Sequence, residues 1–171
     1  MQKIILTGYM ASGKTTIGKL LSQASGLDYI DLDEYIERKT GNTIQELFRL
    51  GEIKFRKLEH ESLKEIMDTR NSFILSLGGG TPCYANNHEF LKQDDILSVY
   101  LKTGIDEIIS RINIQKDNIR PMLDNLKGEE LREFVAKHLF DRSYFYMQAK
   151  HVVATDNKTP EQVVNQIMSL F

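Results

Sequence analysis

The stretch TGYMASGKTT, Thr7 to Thr16, follows directly on the apolar run Ile4-Ile5-Leu6 and leads into Ile17, Leu20, Leu21 and Ala24 at helical spacing. A buried strand therefore ends in a glycine-rich turn that opens a helix, and a strand followed by a covering helix continues most naturally into a parallel neighbour. The rest of the chain repeats the alternation. KIILT (3–7), LDYIDL (27–32), SFILSL (72–77), ILSVYL (96–101) and HVVAT (151–155) read as strands, the first and third almost continuously apolar, as when both faces are covered. Between them, Ile44, Leu47 and Phe48, then Leu58, Leu63, Ile66 and Met67, mark two helices. Ile105, Ile108, Ile109 and Ile112 mark another, Leu131 to Tyr146 a long one, and Val163, Val164, Ile167 and Met168 the last. The pattern predicts an α/β fold, a parallel sheet with right-handed crossovers. With 171 residues, 41% of them hydrophobic, one core can be filled and a second cannot, so residues 1–171 read as a single domain.

Bulk electrostatics exclude some partners. A net charge of −2 offers no general attraction to nucleic acid or an anionic membrane, so any anionic ligand must be held by local groups. No apolar run approaches the roughly 18 residues needed to span a bilayer, and Lys3 with a short strand does not resemble a secretory leader. The single cysteine, Cys83, cannot form an internal disulfide, which suits a reducing compartment. The expectation is a cytoplasmic protein, with monomer as the default state because no heptad or apolar stripe demands a partner.

Gly8-x-x-x-x-Gly13-Lys14-Thr15, between a strand and a helix, is the pattern of a phosphate-binding loop. A triphosphate requires close approach of backbone N–H groups, which glycines permit, and the following helix adds its positive N-terminal end. Ala11, Ser12 and Gly13 complete the cradle, Lys14 would reach the β- and γ-phosphates, Thr15 offers a hydroxyl to Mg²⁺, and Thr16 is a further contact near the α-phosphate. A nucleoside triphosphate is thus the expected ligand and Mg²⁺ the expected cofactor.

Acceptor groups must come from elsewhere in the chain. YIDLDEYI places Asp31 and Asp33 two residues apart at the end of the second strand, with both carboxylates on one face. GEIKFRKLE carries Arg56, LSLGGGTP ends the third strand in Gly78-Gly79-Gly80, IRPML contains Arg120, and DRSYFY contains Arg142. Each has a plainer reading. Either aspartate could cap a helix starting near Glu34, and Arg56 could pair with Glu59 at i,i+3. Arg142 could pair with a neighbouring acid, and the glycines could be only a strand exit. Arg120 could be a loop charge and Arg111 an exposed helix residue. The four histidines show no metal-ligand spacing, and the Tyr144/Tyr146 and Phe140/Phe145 cluster reads as core.

Taken together and in order, these segments resemble the shikimate kinase family: the phosphate loop with Met10, Asp-x-Asp, Gly-Glu-x-x-Phe-Arg, Gly-Gly-Gly, Arg-Pro-Met-Leu, and a late arginine with tyrosine four residues on. The resemblance covers the chain from residue 4 to its end. It implies a three-layer α/β/α domain of the phosphate-loop, nucleoside-monophosphate-kinase-like kind, with a five-stranded parallel sheet and a mobile lid over about 113–128. It further implies transfer of the ATP γ-phosphoryl to the 3-hydroxyl of shikimate, in the route to chorismate and the aromatic amino acids.

Residue by residue, the resemblance implies that Arg56 and Arg142 clamp the acceptor carboxylate, and that Asp33 binds its hydroxyls and serves as general base. It gives Gly79 the role of a backbone donor, and places Asp31 near the metal through water. Arg120 would cover the transferring phosphoryl from the lid. Arg111 would stack on adenine, with residues near Thr159 and Pro160 on the other side of the base. Ala11 stands where the family often has glycine, so the loop there must adopt a geometry that a β-carbon tolerates. The third strand has Ser76 where phosphate-loop proteins usually carry an acid.

Overall fold

Alternation along β1 (Lys3–Thr7) sends Ile4 and Leu6 to one face of a sheet and Ile5 to the other, and two cores form on the two faces. In the first, Ile4 and Leu6 meet Ile17, Leu21, Val99, Val163 and Ile167. In the second, Ile5 meets Phe55, Leu63, Ile66, Leu75, Tyr100 and Val135. The computed structural model describes residues 2–114, 123 and 126–171.

The other strands are β2 (Tyr29–Asp31), β3 (Phe73–Ser76), β4 (Ile96–Lys102) and β5 (His151–Ala154), and the five pair in parallel in the order β2-β3-β1-β4-β5. The helices are α1 (Lys14–Ser25), α2 (Leu32–Thr40), α3 (Ile44–Arg49), α4 (Glu52–Thr69), α5 (Ile105–Ile114), α6 (Gly128–Tyr146) and α7 (Pro160–Met168). Buried residues of α1 and α7 fill the first core, and those of α2 to α6 fill the second. This is the three-layer, five-stranded parallel domain that the sequence predicts. Among the described residues, no helix is long and apolar enough to cross a membrane.

Register brings the site together. Leu6 of β1 and Asp31 of β2 both pair with Ser76 at the end of β3, so three strands finish side by side. The chain leaves β1 toward β2 and later returns across β1 to β4, and ligands of open parallel sheets bind at the carboxyl ends of strands where the order reverses in this way.

Some expectations are corrected. Asp33 does not lie in the second strand: β2 stops at Asp31, whose side chain accepts from the N–H groups of Asp33 and Glu34 and starts α2. The capping reading is therefore right for Asp31, because satisfying two orphan helix N–H groups outweighs one more residue of strand. Phe140 and Tyr144 are 80% and 64% exposed, so only Tyr146 of that cluster is fully in the core. The expected lid falls largely outside the described residues, Arg120 included; Asn113 and Ile114 are the last residues of α5, and Leu123 is buried.

Candidate active site

The loop after β1 has the close contacts that a phosphate cradle requires. Gly8 has φ of +151°, and a β-carbon there would lie 2.8 Å from Ser12 Oγ and 2.9 Å from the Leu101 carbonyl oxygen. Gly13, at φ +94°, turns the chain into α1. Ala11 sits in the left-handed region at φ +58°, where a β-carbon costs about 1–2 kcal/mol, so the loop geometry itself suits glycine at this position and carries alanine at some strain. The Lys14 ammonium donates to the carbonyl oxygens of Gly8 at 2.7 Å and Tyr9 at 2.8 Å, so the loop holds the charge over its own mouth.

A cleft of about 640 Å³ opens at this loop, lined by every residue from Ala11 to Thr16 together with Arg111 and Pro160. Arg111 is anchored from both ends: its Nε donates to Glu107 at 2.8 Å and its Nη1 to the Ala11 carbonyl at 3.2 Å. Thr159 instead caps α7, exchanging hydrogen bonds with Gln162. Ile17, Thr155, Lys158 and Val163 also line the cleft, and the sequence reading did not single them out.

The Thr15 hydroxyl lies 3.4 Å from Asp31 Oδ2, which also accepts from the Tyr29 hydroxyl at 3.2 Å. Ser76, where an acid is more usual, donates to the Lys14 carbonyl at 3.3 Å. No cluster of three metal-binding side chains occurs among the described residues. One hydroxyl and one carboxylate beside a phosphate cradle nevertheless fit Mg²⁺, which usually keeps several waters and takes its remaining ligands from substrate phosphates.

Gly78-Gly79-Gly80 brings Asp33, Arg142 and Arg56 into one place. A β-carbon on Gly78 would lie 3.2 Å from Asp33 Oδ1; on Gly79, 3.5 Å from Arg142 Nη1 and 3.5 Å from the Met10 nitrogen; on Gly80, 2.7 Å from Arg56 Nη2. Each glycine thus faces a different one of the three side chains, and the middle one also abuts the phosphate loop. Arg56, Arg142 and Glu59 all act electrostatically on the Cys83 thiol, whose pKa burial raises.

Asp33 is set apart electrostatically. Burial, then the negative charges of Asp31 and Glu59, push its pKa up to about 7, with Lys14 pulling the other way. Its proton affinity is therefore matched to proton transfer near neutral pH.

Several supporting contacts are not legible in the sequence. Glu59, only 1% exposed, accepts from Arg56 Nη1 at 2.8 Å and from the Thr81 hydroxyl at 2.6 Å. The ion pair offered as the plainer reading of Arg56 is thus real, and the same guanidinium lies against Gly80. Tyr146, fully buried, donates to the Gly79 carbonyl at 2.6 Å. Thr81 had one signal in the sequence, its place directly after the glycines; Tyr146 had its spacing from Arg142.

A phosphate loop at the reversal of a parallel sheet, with two guanidinium groups and a proton-affine carboxylate against the adjoining triple glycine, defines a nucleotide-dependent kinase of small molecules. Comparison with known proteins narrows the class. Residues 10–171 match the family model of shikimate kinase. A shikimate kinase from Flavobacterium psychrophilum is 51% identical over 172 residues, covering 100% of this chain and 99% of that protein. The crystal structure of shikimate kinase from Bacteroides thetaiotaomicron superposes with a TM-score of 0.90 at 36% identity, covering 99% of this chain and 97% of that one. Shikimate kinase from Acinetobacter baumannii, solved in complex with shikimate, gives 0.87 at 34% identity, covering 99% and 92%. The chain belongs to the shikimate kinase family.

Proposed function

We propose that this protein transfers the γ-phosphoryl group of ATP to the 3-hydroxyl of shikimate, giving shikimate 3-phosphate for aromatic amino acid synthesis. The observation that carries this reading is the placement of Asp33, Arg142 and Arg56 against three successive glycines beside the phosphate loop. Arg56 and Arg142 grip the carboxylate, for which planar guanidinium groups are better suited than ammonium groups. Asp33 accepts the proton of the attacking hydroxyl, and Gly79 offers backbone close to the ring.

On the donor side, Lys14 leaves its loop carbonyls for the β- and γ-phosphates, while Ser12, Gly13 and Thr16 complete the cradle. Arg111 and Pro160 flank the base. Thr15 and, through water, Asp31 would hold Mg²⁺, which when bound neutralises phosphate charge. Arg120 is assigned to the phosphoryl group from the lid on family resemblance. The enzyme is read as a cytoplasmic monomer that needs neither nucleic acid nor membrane.

The test is ³¹P NMR of the product after incubation with ATP, Mg²⁺ and one acceptor at a time. Shikimate should yield a new phosphomonoester on its 3-oxygen, whereas gluconate and a nucleoside monophosphate should yield none. Phosphorylation of either of those in preference to shikimate would overturn the reading.

A further inference from the structure

Arg56 is held by more groups than binding a carboxylate alone requires. Its Cζ lies 4.1 Å from the ring centroid of Tyr84 and 5.2 Å from those of Phe48 and Phe55. Phe48 and Phe55 pack on each other with centroids 4.3 Å apart, giving two of these rings mutual support. Nη1 is taken by Glu59, and Nε faces Glu52 Oε1 at 3.7 Å. The Tyr84 hydroxyl donates to that same Glu52 oxygen at 3.0 Å.

Burial does not explain Tyr84. The residue is 39% exposed, yet its ring makes the shortest ring contact to the guanidinium and is tied down at its far end. It directly follows the short helical turn Thr81–Cys83 that continues from the glycines, so the segment approached by Asp33, Arg142 and Arg56 also delivers the ring. A guanidinium is attracted to the face of an aromatic ring, and an arginine ordered before its ligand arrives loses less side-chain freedom on binding.

We propose that Tyr84 is a positioning residue for the acceptor's carboxylate: its ring holds the Arg56 guanidinium in the binding orientation, and the hydroxyl bond to Glu52 fixes the ring. This rests on the reading of the Asp33, Arg56 and Arg142 cluster as the shikimate site. Tyr84 acts through Arg56 and lies outside the residues that line the cleft at the phosphate loop.

The experiment compares initial rates of the wild type, Tyr84→Leu and Tyr84→Phe, with melting temperatures as a check on folding. Tyr84→Leu should raise the KM for shikimate by about three- to tenfold, the range expected from losing one such ring contact. Its kcat and its KM for ATP should stay within about twofold of the wild type, and Tyr84→Phe should restore most of the lost affinity. An unchanged shikimate KM in Tyr84→Leu, a matching rise in the ATP KM, or a phenylalanine variant as impaired as the leucine one would overturn the proposal. Should Tyr84→Leu fail to fold, Tyr84→Gln decides, since a polar side chain without a ring must raise the shikimate KM while sparing the ATP KM. A wild type with no shikimate-dependent turnover would instead defeat the functional reading itself.

Discussion

Tyr146 donates its hydroxyl to the carbonyl oxygen of Gly79 at 2.6 Å, tying the last residue of α6 to the middle of the triple glycine. The same helix carries Arg142, whose guanidinium faces Gly79. The arginine and the strand exit are therefore fixed relative to each other by a neutral donor, since burial raises the Tyr146 pKa far above its ordinary value. Tyr146→Phe leaves the carbonyl without this partner and should cost about 1–3 kcal/mol in urea unfolding, with a rise in the KM for shikimate.

Replacing the two arginines should have unequal effects on stability. Arg56 neutralises Glu59, which is 1% exposed, so Arg56→Ala strands a buried carboxylate and should cost about 3–5 kcal/mol. Among the described residues Arg142 pairs with no buried carboxylate, so Arg142→Ala should cost far less. Both should raise the KM for shikimate by at least about tenfold. Equilibrium unfolding together with kinetics separates the two effects.

The pH dependence follows from Asp33. Its folded pKa, about 7, lies above its ordinary carboxylate value, so the native state holds this proton more tightly than the unfolded chain does. Its contribution to stability is complete below the unfolded value and is lost as pH rises through about 7. Asp33→Asn should therefore melt higher than the wild type at alkaline pH, and the difference should close in acid. As general base the group works ionised, so kcat/KM should rise through about pH 7, and the asparagine variant should lose about 10²-fold or more in kcat.

Glycine substitutions separate structure from site. A β-carbon on Gly18 would lie 2.2 Å from Tyr29 Cε2, inside a packed helix–sheet contact, so Gly18→Ala should destabilise by about 1–3 kcal/mol. Gly80→Ala meets the end of the Arg56 side chain at 2.7 Å. It should shift that guanidinium and raise the shikimate KM with a smaller loss of stability, as thermal melts and kinetics would show.

The phosphate loop was legible in the sequence because its backbone turn needs glycine at set positions between a strand and a helix, a local constraint. Alternation was equally local, and it predicted all five strands within a few residues. Asp33 was placed in the wrong element because Asp31 could either extend β2 or cap α2, a choice settled by N–H groups that the pattern does not show. Arg56 and Arg142 were singled out through family resemblance rather than spacing. The Arg56–Glu59 pair was legible at i,i+3, but the bond from Thr81 to Glu59 and the roles of Tyr84 and Tyr146 were not, because they depend on partners brought close by folding: Thr81 and Glu59 are 22 residues apart, Tyr146 and Gly79 are 67 apart, and Tyr84 and Glu52 are 32 apart.

The most direct measurement is the rate of ADP release from ATP and Mg²⁺ with and without shikimate. The predicted result is little release without the acceptor and a saturable rise with it, abolished in Asp33→Asn. Release at the same rate whether or not shikimate is present would contradict an acceptor site assembled from Asp33, Arg56 and Arg142.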